Sequence, residues 1–257
     1  MTTYERRQTL IQLLQKQPGT RVSELANALG VSKGTVRNDL DALKEEGVLT
    51  RVHGGAVLGR SSTQYDPDIG TRYQAQSVSK LAIARKAAEL VADGASIFLD
   101  ASTSVYFLAQ QLKNRHRLRA VTNGIDVARL LAKNSSNTVV LIGGIVTMDG
   151  SSVTGSLSEQ IIRELRVQKA FVSCSGFSLT RGLTDVHLAE AELKSKALAS
   201  AHEVIALVDS SKIGKEDLTS FASLAQITHI YTDSDLNDEW VVRFQQAGIA
   251  FTLCSVD

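Results

Sequence analysis

Residues 22–40 read VSELANALGVSKGTVRNDL, and their spacing decides how the chain begins. Leu25, Ala26 and Leu29 share one side of a short helix that Ser23 can cap. Gly30 supplies the backbone freedom for a sharp turn. Ser32 can cap the next helix, where Val36, Leu40 and Leu43 define a buried side. Upstream, YERRQTLIQLLQKQ (4–17) places Leu10, Leu13 and Leu14 on one helical face, with Ile11 beside them, and Pro18-Gly19 stops that helix. Downstream, Gly47 ends the third helix, and VLTRVHGGAVL (48–58) reads as two short strands turning at Gly54-Gly55. Helix, glycine turn, helix and hairpin in this order are the pattern of a winged helix-turn-helix over residues 1–57.

The exposed side of the third helix then carries the chemistry. It presents Lys33, Thr35, Arg37 and Asn38. Arginine and lysine donate to guanine acceptors, and asparagine pairs with the donor and acceptor of adenine. Ser23, Ser32 and Thr35 stand at helix starts, where hydroxyls and free backbone N–H groups suit phosphate oxygens. Arg51 and His53, next to Gly54 at the hairpin turn, would follow the DNA backbone or enter the minor groove. The expected partner is a double-stranded DNA operator; the alternative is a packing module with a solvated third helix. Charge supports the first reading. The 257-residue chain carries a net +1, yet residues 1–60 hold 9 Lys/Arg against 6 Asp/Glu, or +3, and the remainder is −2.

Nothing points to a membrane or a metal. There is no apolar run long enough for a bilayer and no basic-then-apolar leader, so a cytoplasmic protein is expected. Cys174 and Cys254 lie in apolar runs without a CxxC pair, which predicts buried thiols and neither a zinc nor a redox site. No cofactor is expected, since no GxGxxG follows a strand.

GRSSTQYDPDIGTRYQAQS (59–77) is polar and reads, with Leu58, as a linker over residues 58–77, from which Arg72 and Tyr73 can dock onto the second domain. From residue 78 onward helical and strand patterns alternate: KLAIARKAAELV, ASIFLD, TSVYFLAQQL, LRAVTN, GIDVARLLAK, TVVLIGG, and so on to IAFTLC. That alternation predicts a Rossmann-like α/β domain over 78–257, a parallel sheet covered by helices on both faces. Ligands of such sheets sit at the carboxyl ends of the strands. Those ends read DASTS (100–104), TNG (122–124), Gly143-Gly144, SCSGFS around Gly176, and DSSK (209–212). Ser102, Thr103 and Ser104 at a helix start suit a phosphate, and Lys212 adds a point charge. Asp100 and Asp209 can accept from sugar hydroxyls, and Glu190 and Lys194 form an i, i+4 pair that can reach the rim. The ligand so described is a small phosphorylated sugar or polyol.

Residues 22–58 resemble the N-terminal signature of the DeoR-type bacterial transcription regulators, departing from it at Gly34 and Asn38. IFLDASTSVYFLAQQL, VTNGIDVA, LIGG, GLTDVHLAEAELKSKAL and LVDSSKIG resemble the effector domain of the same family, with Ser102-Thr103-Ser104 in place of the usual Gly-Thr-Thr. The resemblance implies a fold related to sugar-phosphate isomerases, used for sensing. It also implies a phosphorylated sugar effector, usually repression, and ligand-site positions at Asp100, Thr103, Asn123, Gly144, Gly176, Glu190, Lys194, Asp209 and Lys212. Two-fold operators imply a homo-oligomer, dimer or tetramer. The alternative function is an isomerase with an appended DNA module, using Asp100, Glu190 and Lys194 as acid, base and electrostatic partner.

Overall fold

A computed structural model describes residues 3–16, 20–45, 49–52, 55–58 and 69–256. The chain divides into two compact units, Met1–Asp66 and Pro67–Asp257.

The first unit contains α1 (Thr3–Lys16), α2 (Val22–Leu29), α3 (Lys33–Glu45), β1 (Leu49–Val52) and β2 (Gly55–Leu58). Its core is the apolar set that the helical spacing predicts: Leu10, Leu14, Leu25, Ala26, Val36, Leu40 and Leu43, joined by Val22 and Leu49. Gly30 closes α2 with φ +64°, and the β1–β2 hairpin is antiparallel, with Arg51 opposite Ala56. One detail of the sequence reading is corrected. Ser23 does not cap α2; the cap position is Arg21, without a side-chain hydrogen bond. Val22 is buried with Leu25 and Ala26, so the helix starts one residue before the serine. Ser32 does cap α3, accepting from the Thr35 N–H at 3.1 Å.

In the second unit α4 (Ile69–Gln74) and α5 (Ser77–Ala88) lead into β3 (Ser96–Leu99), α6 (Thr103–Gln111), β4 (Arg119–Thr122), α7 (Ile125–Leu131) and β5 (Thr138–Leu141). A hairpin of β6 (Ile145–Val146) and β7 (Val153–Thr154) precedes α8 (Ser156–Glu164) and β8 (Val167–Val172). Then come β9 (Gly176–Ser178), β10 (Gly182–Asp185), α9 (Leu188–Ala199), β11 (Ala201–Leu207), β12 (Thr219–Ala222), β13 (His229–Asp233), α10 (Asp238–Gln246) and β14 (Phe251–Cys254).

Seven strands form one fully parallel sheet in the order β14-β13-β11-β8-β3-β4-β5. One face packs on α5, α6 and α7 through Ile83, Leu108 and Leu131; the other packs on α8, α9 and α10 through Ile162, Leu193 and Phe244. This is the doubly covered sheet that the alternation predicts. The chain builds outward from β3 to β5, then returns to β8 on the other side of β3 and builds outward again. The reversal lies between β3 and β8, and such a switch point opens a crevice at the strand ends. A small antiparallel sheet, β12-β10-β9, lies outside this pattern. Part of the stretch read as linker is helical: α4 belongs to the second unit, and Tyr73 docks as expected. Its ring meets Tyr106 of α6 edge-on at 4.8 Å, and its hydroxyl donates to Asp126 of α7 at 3.3 Å.

Candidate nucleic-acid interface and effector site

Three of the side chains that the sequence assigns to DNA on α3 face solvent. Lys33, Arg37 and Asn38 are exposed, while Val36 and Leu40 turn into the core. Thr35 is half-buried, its hydroxyl 2.9 Å from that of Ser32. The two hydroxyls and the first-turn N–H groups of α3 therefore cluster at one helix end. Asp39 takes no part in that surface. It is buried and clamped by Arg6 (Nε at 2.5 Å) and Arg7 (Nε at 3.3 Å) of α1, which pins α3 against α1. These partners stand 33 and 32 positions apart, beyond any local spacing rule. Arg51 lies in β1; His53 and Gly54 fall outside the described residues.

The second cluster fills the crevice between β3 and β8. Asp100, at the end of β3, is fully buried. Its Oδ1 accepts from the N–H of Ser102 (2.9 Å) and the hydroxyl of Ser102 (2.5 Å), and its Oδ2 from the N–H of Ser173 (2.8 Å). Lys194 of α9 stands 3.4 Å from the same Oδ2, donates to Asp185 at 2.8 Å and to the Ser173 carbonyl at 3.0 Å, and lies over the Phe221 ring. Asp100 and Lys194 are thus saturated by the protein. They tie the ends of β3 and β8 to α9 and β10, and act as organisers rather than free ligand groups. Burial works against the Lys194 charge, but Asp185, Asp100 and Glu190 outweigh it and hold its pKa above the usual range.

Open valences lie beside this knot. Ser102 caps α6, accepting from the Val105 N–H at 3.3 Å. The N–H groups of Thr103 and Ser104 open the helix and have no intrahelical acceptor. Ser104 is 3.5 Å from the Ser173 hydroxyl, which in turn accepts from Lys212 Nζ at 3.2 Å. Lys212 also pairs with Asp209 at 3.4 Å, and its side chain stays 21% exposed, which leaves its ammonium able to turn toward an anion. Asp209 Oδ1 accepts from Ser211, while its buried Oδ2 has no hydrogen bond. Lys80 of α5, absent from the sequence reading, adds a second cation nearby. Its ammonium donates to the carbonyls of Arg72 (2.6 Å) and Ala75 (2.7 Å), at the end of α4. Burial, then the repulsion of Lys212, push its pKa down to about 8, against the pull of Asp209.

Across the Asp100–Ala101 loop stands a third group. Asn123 donates to Glu190 at 3.1 Å, Ser152 of the β6–β7 hairpin donates to the other Glu190 oxygen, and Asn123 Oδ1 is buried without a partner. Burial raises the Glu190 pKa despite Lys194 one turn away. Gly144 and Gly176 build walls instead of lining this group. A Cβ on Gly144, at φ +155°, would come within 2.4 Å of the Ser158 hydroxyl and the Thr154 carbonyl. A Cβ on Gly176 would come within 2.7 Å of the Lys215 carbonyl, in the small antiparallel sheet. The residue that β8 delivers to the rim is Ser173, not Gly176. Sequence reasoning passed over Ser173 and Asp185 because their partners come from distant elements. Cys174 and Cys254 are free and buried, and burial pushes the Cys174 thiol up to about 12.

A winged helix-turn-helix with a cationic reading face, joined to a parallel sheet with a polar switch-point crevice, defines a DNA-binding transcription regulator. The DeoR-like helix-turn-helix domain matches residues 6–62, and the DeoR C terminal sensor domain matches residues 75–234. The HTH-type transcriptional regulator GolR of Listeria innocua is 36% identical over 97% of this chain and 98% of its own. The lactose phosphotransferase system repressor of Streptococcus mutans is 36% identical over 93% and 95%. The chain belongs to the DeoR family. Among solved structures, ribose 5-phosphate isomerase A of Methanocaldococcus jannaschii is 19% identical, covers 54% of this chain and 55% of its own, and has a TM-score of 0.40. The family membership sets the isomerase alternative aside: these relatives are regulators and repressors. Among the described residues, no helix is long and apolar enough to cross a membrane.

Proposed function

We propose that this regulator represses a carbohydrate-metabolism operon in the cytoplasm and that a phosphorylated sugar or polyol changes its grip on the operator. The observation that carries the effector reading is the conjunction at the switch point. Two free N–H groups at the start of α6, the hydroxyls of Ser104 and Ser173 and the Lys212 ammonium meet at one place. A phosphate needs that combination of donors. Thr103 completes the helix start. The buried oxygens of Asn123 and Asp209 that accept no hydrogen bond among the described residues, with Glu190, would accept from the sugar hydroxyls, while Asp100 and Lys194 hold the frame. Relatives named as lactose phosphotransferase system repressors support the sugar and the repressor readings together.

On the DNA side, Arg37 and Asn38 would meet base edges, Lys33, Ser23, Ser32 and Thr35 phosphates, and Arg51, His53 and Gly54 the flanking backbone. A homo-oligomer would occupy paired half-sites, and residues 58–77 would carry the change from the sensor domain, 78–257, to the DNA-binding domain, 1–57. Linkage requires that the effector bind one conformation better than the other.

A thermal-shift screen of phosphorylated pentoses, hexoses and polyols tests this, followed by operator anisotropy with the best ligand. One phosphorylated compound should raise the melting temperature, its unphosphorylated parent should not, and operator affinity should change in its presence. The absence of a shift from every compound overturns the effector reading.

A further inference from the structure

Both faces of a parallel sheet are normally covered, and its edges are protected. One corner of the sensor unit is neither. Among the described residues β5 pairs with β4 alone, as an edge strand, and exposes Val140. The following hairpin exposes Ile145 (73%), Val146 (56%) and Met148 (94%), and α8 exposes Leu157 (63%) and Ile161. Contacts among the described residues hold these three elements together. Val140 lies two residues before Ile142 and so faces the same side of the sheet. Ile142 shares a core cluster with Ile162 of α8. The 143–145 turn presses on α8: the Ser158 hydroxyl donates to the Gly143 carbonyl at 2.7 Å, and the Ile145 side chain stands against Gly155 at the cap of α8. Leu157 and Ile161 are one helical turn apart on one side.

At about 200 Å² for a fully exposed apolar residue, the six together expose roughly 700 Å² of apolar surface around this corner. That is close to the roughly 800 Å² that each partner contributes to a stable interface. The rim of the patch carries both signs, with Arg163 and Glu164 exposed at the end of α8 and Asp149 exposed in the hairpin turn. A two-fold axis sets such a surface against itself with opposite charges within reach.

We propose that the β5 edge, the β6–β7 hairpin and the outer face of α8 dock a second copy of this chain. The proposal rests on the reading of the protein as an oligomeric operator binder, since one helix-turn-helix reads one half-site. The inner side of the same hairpin belongs to the effector site. Ser152 donates to Glu190, and the Val153 N–H donates to the Asn123 carbonyl at 2.9 Å. The second copy is thus seated one strand-thickness from the sugar hydroxyls.

Sedimentation velocity of the full chain and of a Met148→Lys/Leu157→Glu variant tests this. Both side chains are exposed, so the fold should persist by circular dichroism. The unmodified chain should sediment as a dimer or larger, the variant as a single chain, and operator affinity should fall at least tenfold. Leu218→Glu, an exposed apolar position outside the patch, should leave the mass unchanged. Hydrogen exchange of the unmodified chain supplies a variant-free check: protection over residues 138–164 should fall on dilution. A variant that keeps the parent mass overturns the proposal, as does an unmodified chain that sediments alone, which would leave the patch to a different partner. The thermal shift by the sugar phosphate separates the two readings. A shift retained by a variant that no longer associates supports both. A shift absent from both chains removes the effector reading, while the mass result still decides the interface.

Discussion

Lys194 shows how much of the sensor depends on one side chain. Its ammonium is shared by Asp185, Asp100 and the Ser173 carbonyl in a site with almost no solvent. Lys194→Met keeps the length and the apolar stem but leaves buried carboxylates without their cation. The expected loss is about 3–5 kcal/mol, the usual result of removing one partner of a buried pair, read as a lower urea midpoint. Acid should act in the same direction. Burial raises the Asp185 pKa, but Lys194 outweighs burial and holds it below the ordinary carboxylate range. Asp185 therefore contributes stability that is present above its unfolded pKa of about 3.9 and is lost as pH falls through the lower folded value. Glu190, raised by burial, has the opposite sign: its ionisation costs stability as pH rises above the ordinary glutamate value. The urea midpoint should thus drop below about pH 4, and Asp185→Asn should flatten that acid limb. Glu190 and Lys194 were visible in the sequence as neighbours on a helix, and Lys212 as a charge following a strand. Ser173, Asp185 and Lys80 were not, because what defines each is a partner 5 to 73 positions away on another element or the burial around it. Local spacing encodes neither.

Periodicity served the long elements well. Each strand of the large sheet holds an apolar stretch bounded by polar turns, and α8 and α10 bury one apolar side, whereas α5 and α9 are less one-sided and each buries a lysine. β6, β7 and β9 escaped it because two or three residues carry too few positions for a period to show, and β10 (GLTD) and β12 (TSFA) because half of their residues are polar. α4 escaped for a related reason: six residues with a polar composition read as linker, and what holds them helical is contact. Tyr73 reaches Tyr106 and Asp126, while Lys80 donates to two carbonyls at the helix end, serving acceptors that α4 cannot satisfy itself. The N-terminus of α6 and the segment just before α7 line the proposed effector crevice, and α4 grips both of these helices. Tyr73→Ala should therefore loosen α4 without touching the ligand groups. Amide exchange over residues 71–76 should accelerate at least tenfold, with the thermal shift by the sugar phosphate preserved. Unchanged exchange would show that Lys80 alone holds α4, which Lys80→Met then decides by the same measurement.

Net charge is a weak guide to the complete chain, because +3 and −2 nearly cancel. What matters for DNA is where the positive charge lies, and the exposed cations of α3 are concentrated on one reading face. At physiological salt the Debye length is about 8 Å, so acidic groups of the sensor beyond that distance from the duplex repel it only weakly. Phosphate contacts release counterions, so operator affinity should fall steeply and linearly in log–log form as salt rises, with a slope of about −0.9 for each phosphate neutralised. Two of the exposed cations of α3, Arg37 and Lys33, separate in such a titration. On the proposed docking Arg37, in the second turn, meets base edges; its replacement by alanine should cost about 1–3 kcal/mol on the operator and far less on random DNA, with the operator preference relaxed. On the same docking Lys33, at the helix start, meets the DNA backbone; its replacement should weaken operator and random DNA alike and make the salt slope shallower by about 1. Anisotropy titrations of both variants on both duplexes, at four salt concentrations, give the two signatures. An Arg37→Ala variant with the parent affinity for the operator would take the reading face away from α3.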